Sequence, residues 1–334
     1  MGRRITVLGW YGHGNVGDES YKISFADLFP GDDLYFTDKV DDRARNCDAA
    51  ILGGGNVLSP YYLDEILKLN VPRYAFSISV SLGLESIDRV AGVFDKVFVR
   101  DYESIRHLAD RSVEAHYLPD FAFTLRPDKR RGATLVRGIF EQAQADRYNK
   151  VVAVVMNSNV LVRNDLLARD WSTFDSVAWQ LSGLADATNA SFLFLPFGTR
   201  APHDDRIANS FVAGRCKWYK KNAVVYDRLS VQDTLDVLSA VDCTISSRLH
   251  STIFSCVGGT PFIDLTHHSK NEWFLKSIGR QDCAVSYWQF SRPRVAELLN
   301  SFIASPETPA ADLLGISERF RTLLTGVANN VRLI

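Results

Sequence analysis

The sequence has little that would fix a fold or a partner by composition alone. Its five cysteines, Cys47, Cys216, Cys243, Cys256 and Cys283, are scattered over 334 residues, and no two form a C-x-x-C pair. A sparse, odd-numbered set without that spacing speaks against a disulfide framework and a zinc site, and reads as reduced cytosolic thiols. An excess of one charge is missing as well: 38 Lys and Arg stand against 39 Asp and Glu. No global basic surplus advertises nucleic acid or an acidic membrane, so any anion site has to be local. No apolar run reaches the roughly 18 residues of a transmembrane segment. The N-terminal stretch enters an apolar strand directly, without the long apolar region and small-residue cleavage site of a signal peptide. Short repeats and low-complexity tracts are lacking too. A cytoplasmic location is expected, peripheral contact with the inner membrane face being unsignalled and the oligomeric state open.

What is present is 46% hydrophobic and 23% charged residues, ordinary for a globular chain and sufficient for a large core. Short apolar runs alternate with amphipathic stretches, the pattern of a parallel α/β fold. Strands are expected at 5–8, 49–52, 74–80, 96–99 and 115–118, then at 151–156, 191–195, 223–225, 243–246 and 261–264. Helices are expected at 19–28, 61–69, 101–109, after the 126–132 run to about 147, then at 171–188, 231–240, 251–257, 270–278 and 317–327. The polar, turn-rich run Arg126–Gly132 marks the boundary between a first half, 1–130, and a second, 131–334, that closes with the last helix. Two open α/β halves imply a cleft, because ligands of such folds bind outside the carboxyl ends of the strands.

Gly12-His13-Gly14-Asn15-Val16-Gly17 satisfies G-x-G-x-x-G between a strand and a helix. A dinucleotide is disfavoured there. Asp18 and Glu19 follow in the first helical turn and compete with a pyrophosphate for its positive end. Asp32, Asp33 and Asp38 sit in a turn-rich, poorly periodic stretch, without a clean acid at the tip of a second strand. The glycines can serve a tight turn alone, but that does not account for the polar cluster His13, Asn15, Asp18 and Glu19 held near the strand end, at least one of which is a candidate to touch substrate. Asp18 can orient or deprotonate a hydroxyl, or can simply favour the helix dipole. Gly53-Gly54-Gly55-Asn56 admits two readings, close approach of a ligand or of the first loop, with Asn56 a candidate hydrogen-bond partner in either.

Ser246-Ser247-Arg248-Leu249-His250 follows an apolar strand and opens a helix of small and apolar residues. Unpaired amides at a helix start favour an anion, Arg248 adds a planar fork for carboxylate or phosphate, and His250 adds a proton-transfer group. Downstream, His267-His268-Ser269-Lys270 ends another strand. Adjacent histidines point oppositely on a strand, which disfavours paired metal ligation. Lys270 can bring a point charge to a phosphate. Trp10, Tyr11, Tyr61, Tyr62 and Trp171 can stack on sugars but are read first as core.

Taken in order, these segments resemble the polysaccharide pyruvyltransferase family. Gly12–Glu19 is similar to its G-x-G-N-x-G-D-E loop and Gly53–Asn56 to its second glycine loop. Val99-Arg100-Asp101 with Ser104, then Leu118-Pro119-Asp120, resemble its R-D-x-x-S and P-D pair; Ser247–His250 resembles its S-R-L-H segment, and Lys270 its downstream lysine. The resemblance implies a GT-B-like fold of two Rossmann-like domains facing a cleft. It implies transfer of a pyruvyl group from phosphoenolpyruvate to two sugar hydroxyls as a cyclic ketal, in polysaccharide or glycoconjugate biosynthesis. No metal and no cofactor beyond the co-substrate is expected. The second half is then the donor side, with Arg248, His250, Lys270 and Ser247 holding phosphoenolpyruvate and His250, Arg248 and Asp18 catalytic. The first half is the acceptor side, with His13, Asn15 and Asn56, for a sugar or lipid-linked saccharide. The family's basic residue after the first strand of the second half is replaced here by Asn157-Ser158-Asn159, so Asn157 and the more distant Arg163 are nominated for the donor. Leu195-Pro196-Phe197-Gly198 with His203-Asp204-Asp205 resembles another loop near the cleft, binding acceptor or capping a helix. The main rival is a GT-B glycosyltransferase using a nucleotide sugar, whose ribose-binding glutamate has only the late Glu272 as candidate; a catalytically silent sugar-binding protein is the other.

Overall fold

The computed structural model describes residues 2–80, 88–158, 167–201, 203–216 and 219–330. Strands β1 (Arg4–Leu8), β2 (Asp33–Thr37), β3 (Ala49–Gly55), β4 (Arg73–Ile78), β5 (Lys96–Val99) and β6 (His116–Tyr117) form one sheet. Strands β7 (Lys150–Val155), β8 (Ala190–Phe194), β9 (Ala223–Val224), β10 (Cys243–Ser246), β11 (Phe262–Thr266) and β12 (Ala284–Ser286) form a second. Every pairing is parallel. The strand orders are β2-β1-β3-β4-β5-β6 and β12-β11-β10-β7-β8-β9. The first reverses direction of travel between β1 and β3, the second between β7 and β10, and both reversals are natural binding crevices.

The helices are α1 (Val16–Leu28), α2 (Asp42–Arg45), α3 (Pro60–Ile66), α4 (Tyr102–Ala109), α5 (Lys129–Gln142), α6 (Leu167–Ala187), α7 (Asp205–Ala213), α8 (Val231–Ala240), α9 (Leu249–Gly258), α10 (Ser269–Ser277), α11 (Arg292–Ala304) and α12 (Glu307–Asn330). Because helices cover the sheets, β3, β8, β10 and β11 are buried along their whole length, which is why they read as continuous apolar runs rather than alternating ones. Along β1, Val7 and Leu8 belong to different clusters, as the two-residue strand period requires. The larger cluster joins Phe25, Phe76 and Phe123 of the first half to Phe194, Ile245 and Phe254 of the second. No helix among the described residues is long and apolar enough to cross a membrane.

Three connections fix the halves together. The loop after β1 is stitched to the loop after β8: Val16 N donates to the Phe197 carbonyl (2.8 Å), Thr199 N to that of Gly14 (3.1 Å), and Arg200 Nη1 to that of Gly12 (2.7 Å). The polar run at Arg126–Gly132 leads into α5, which is tied to α8 where Asp128 N donates to Asp236 (2.7 Å) and Arg131 pairs with Asp233 and Asp236. The last helix then returns to the first half, with Phe320 edge-on to Phe123 at 4.8 Å and Arg321 donating to the Leu125 carbonyl at 3.3 Å.

Five elements lie outside the sequence expectation: β2, β12, α2, α7 and α11. The stretch read as turn-rich around Asp33 is the edge strand β2, so Asp38 does stand at the tip of a second strand, contrary to the sequence reading.

Candidate functional site

A cleft of about 350 Å³ opens where the carboxyl ends of the two sheets meet. It is lined by Trp10, His13, Asn15, Asp18, Gly55, Asn56, Val57, Arg100, Phe197, Gly198, His203, Arg248, Leu249, His250 and Lys270.

The second-half wall begins where β10 stops. Arg248 is the N-cap residue of α9 but makes no side-chain cap; Ser246 Oγ takes its amide at 2.8 Å instead. The guanidinium is therefore turned to Asp205, with Nε at 3.0 Å and Nη2 at 2.5 Å from the carboxylate. Asp205 is fully buried, and its carboxylate also accepts from the amides of Ser158 (3.0 Å), Phe197 (3.1 Å) and Gly198 (2.8 Å). One acid thus shapes two loops and aims one arginine. Arg248 Nη1 has no hydrogen-bond partner among the described residues, leaving that edge of a two-pronged donor for a ligand. Capping of α7 falls to Asp204, which accepts from Arg206 N.

Two positions further on, His250 packs against the first half. A Cβ on Gly17 would lie 2.3 Å from His250 Nδ1, so the glycine is what admits the ring. His250 Nε2 lies 3.3 Å from Tyr21 Oη and 3.8 Å from Asp120 Oδ2. Tyr21 donates to Asp120 at 2.7 Å, and Arg100 Nη1 donates to both, at 2.8 and 2.7 Å. Burial presses His250 down to about 4; Asp120 opposes this, while Arg100, Lys270 and Arg248 reinforce it. Burial therefore favours neutral imidazole here at pH 7. Burial also disfavours the Asp120 charge, but Arg100 and its other partners outweigh it and hold the carboxyl below its ordinary value.

Asp18 and Lys270 face the same space from opposite halves. Burial raises Asp18 to about 7 against the pull of Lys270, Arg100 and Arg248. Burial lowers Lys270 to about 8, with Arg100 and Arg248 adding to it and Asp18 and Asp264 resisting. Neither side chain has a hydrogen-bond partner among the described residues. Both groups therefore change charge within about a unit or so of neutrality, where proton transfer is most efficient.

The first glycine loop is already occupied by protein. The Val16 amide is taken by Phe197, the Gly17 amide by Asn15 Oδ1 (3.0 Å), and the Glu19 amide by the Asn15 carbonyl (2.9 Å). A pyrophosphate would find few free donors at this helix start, so the case against a dinucleotide stands even though Asp38 occupies the strand tip. At the second glycine loop both readings keep support. Gly54 has a φ of +80°, and a Cβ there would sit 2.4 Å from the Tyr21 ring; one on Gly55 would sit 3.1 Å from Asp18 Oδ1. Gly54 makes room for Tyr21, whereas Gly55, beside Asp18, lines the cleft with Asn56.

Of the expected site residues, His13, Asn15, Asp18, Asn56, Arg248, His250 and Lys270 share the cleft. His13 Nε2 is 3.0 Å from Asp38 Oδ2, and Asn15 is the N-cap of α1. Ser247 and Asn157 are displaced from their expected places: both are buried behind the wall, where Asn157 N donates to Ser247 Oγ at 2.8 Å and ties the end of β7 to the end of β10. Arg163 lies outside the described residues. His267 bonds Asn157 at 3.3 Å and His268 caps α10, so neither lines the cleft. Among the described residues no His, Cys, Asp or Glu group is arranged to hold a metal ion.

Arg100, Tyr21 and Asp120 were not nominated for the site, and His203 and Asp205 were expected only within a loop near the cleft that binds acceptor or caps a helix. Tyr21 had no signal, while Arg100 and Asp120 had one in the R-D and P-D segments. Asp101 and Ser104 of that segment do backbone work, Asp101 accepting from Ser104 N (2.7 Å) and Ser79 Oγ (2.9 Å), which frees Arg100 to point inward. Trp10, read first as core, is 38% exposed.

Comparison with known proteins agrees with this geometry. A family described as polysaccharide pyruvyl transferase matches residues 14–269. No curated protein matches the chain. Among solved structures, a putative UDP-N-acetylglucosamine 2-epimerase from Listeria monocytogenes superposes with a TM-score of 0.59 at 9% identity, covering 98% of this chain and 93% of that one. The UDP-GlcNAc 2-epimerase of Neisseria meningitidis, bound to UDP-GlcNAc, gives 0.59 at 10% identity over 96% and 98% of the two chains. The glycotransferase of kitacinnamycin gives 0.54 at 11% identity over 100% and 99%. At such identities these likenesses speak to architecture alone, and the architecture is GT-B. With the family match spanning most of its length, the chain belongs to the polysaccharide pyruvyl transferase family and carries its motifs on a GT-B fold of two parallel six-stranded sheets.

Proposed function

We propose that this protein moves the pyruvyl group of phosphoenolpyruvate onto two hydroxyls of a sugar, free or lipid-linked, forming a cyclic ketal and releasing phosphate. The observation that carries the reading is the convergence of Arg100, Arg248 and Lys270 on one cleft in which Asp18 is the one lining carboxylate among the described residues. Such a cleft suits a small ligand bearing both a carboxylate and a phosphate. The donor rests against Arg248 and Lys270, the acceptor against the first half.

The chemistry distributes over the remaining groups. The enol carbon C3 takes a proton, C2 becomes electrophilic, and a sugar hydroxyl adds to it. The C2–O bond to phosphate then breaks with its electron pair on phosphate, and the second hydroxyl closes the ring, its proton passing to the departing phosphate. Asp18, held near 7, is protonated in a substantial share of molecules at neutral pH and is assigned delivery of that proton to C3. His250, held unprotonated near pH 7 by burial, is assigned the proton of the attacking hydroxyl. This refines the expectation from sequence, in which His250 served as the general acid–base. Titration calorimetry with phosphoenolpyruvate tests the donor side: binding is expected for the native protein and lost in Arg248→Ala. Unchanged affinity in the variant removes Arg248 from the site.

A further inference from the structure

The residue between β1 and the glycine loop does not join the core. Its neighbour Tyr11 does, 5% exposed with its hydroxyl donating to the Gly53 carbonyl at 2.7 Å. Trp10 remains at the cleft wall, one face of its indole stacked on His13 with ring centres 3.7 Å apart and planes at 15°. His13 is in turn fixed to Asp38 at 3.0 Å, and Tyr61 donates to the Asp38 carbonyl at 3.1 Å. The indole is thus backed by a ring anchored to the tip of β2, and its second face is the one a ligand can cover. A rigid aromatic surface of this kind offers contact area at little cost in ordering. Asn15 and Asn56 line the same cleft and supply amide groups for hydroxyls. A ring with an apolar C–H face and a polar rim, a pyranose, matches both features. A nucleobase would also stack, but the Val16 and Gly17 amides at the start of α1 are taken by Phe197 and Asn15 and offer its phosphates no donor.

We propose that Trp10 is the platform of a carbohydrate subsite, on which one pyranose ring of the acceptor stacks by the indole face turned away from His13. The naming of that sugar as acceptor rests on pyruvyl transfer; the platform itself requires only that a sugar binds. Saturation-transfer NMR with methyl β-D-glucopyranoside, methyl β-D-galactopyranoside and methyl α-D-mannopyranoside tests it, beside calorimetry with phosphoenolpyruvate. The expected result is saturation of ring C–H protons of at least one pyranoside with the native protein. Its affinity should weaken about tenfold in Trp10→Ala, be largely retained in Trp10→Phe, and leave phosphoenolpyruvate binding unchanged. Equal saturation in native protein and Trp10→Ala, or none from any of the three sugars, overturns the platform. If the native protein fails to bind phosphoenolpyruvate while pyranosides still depend on Trp10, pyruvyl transfer falls and the platform stands.

Discussion

Arg248 and Asp205 form a buried two-point ion pair, Nε at 3.0 Å and Nη2 at 2.5 Å, at the end of the β10 strand. Arg248 is therefore not loose in the cleft but aimed by an acid that also organises the 158 and 197–198 amides. Removing the acid leaves a buried cation and three amides without their acceptor. Asp205→Ala should cost about 3–5 kcal/mol in denaturant unfolding. A loss below 1 kcal/mol would mean that water replaces the carboxylate and that the pair does not organise the wall.

Gly17→Ala gives a sharper geometric test. Alanine for glycine within a helix ordinarily gains about 0.5–1 kcal/mol. Here the new methyl would stand 2.3 Å from His250 Nδ1, so the ring has to move. The variant should keep its fold by circular dichroism and lose roughly tenfold or more in kcat. Full activity would show that the position of His250 is immaterial.

Stability should depend on pH through His250 and Asp18 with opposite signs. His250 is lowered to about 4, so between that value and its ordinary one near 6.5 the unfolded chain binds the extra proton, and stability falls as pH falls. Asp18 is raised to about 7, so from its ordinary value up to 7 the folded state binds the extra proton, and stability falls as pH rises. Thermal unfolding of His250→Asn should lose the acid-side slope between pH 6.5 and 4, and Asp18→Asn should gain in Tm above pH 7 relative to the native protein. Parallel pH profiles for all three proteins would contradict these assignments.

Tyr21 is a positioning residue, linking His250 at 3.3 Å to the Arg100–Asp120 pair. Tyr21→Phe should lower kcat by roughly tenfold with little change in phosphoenolpyruvate affinity, and should displace the pH midpoint assigned to His250. An unchanged pH profile would reduce Tyr21 to packing.

Much of this was legible in the sequence because parallel strands covered by helices are written as continuous apolar runs; Ala49–Leu52, Val151–Val155 and Cys243–Ile245 are of that kind. The edge strand β2 was not, since Asp33 is exposed, Leu34 to Phe36 are only partly buried and its flanks are charged. With it went the placement of Asp38. Helix α11 had signals, a Ser291 cap and Pro293 in its first turn, that were passed over. In the site, residue types were readable but their partners were not. Arg248 looks like an anion ligand whether or not Asp205 holds it, and nothing local in the sequence says that an acid 43 residues away does so. The misplacement of Ser247 has the same origin: successive residues after a strand diverge, and the one beside Arg248 turned back to β7. Burial was equally invisible, so His250 read as an ordinary neutral-pH acid–base when the surrounding cations and desolvation keep it unprotonated.

The most direct test of pyruvyl transfer is the fate of phosphoenolpyruvate in the presence of a panel of pyranosides and lipid-linked saccharides, with phosphate and sugar mass both followed. Acceptor-dependent phosphate release is predicted, with one sugar gaining the mass of pyruvate less one water, and both signals lost in Arg248→Ala. Phosphate release with no acceptor modified, or inertness toward phosphoenolpyruvate together with release of UDP from a nucleotide sugar, would contradict it.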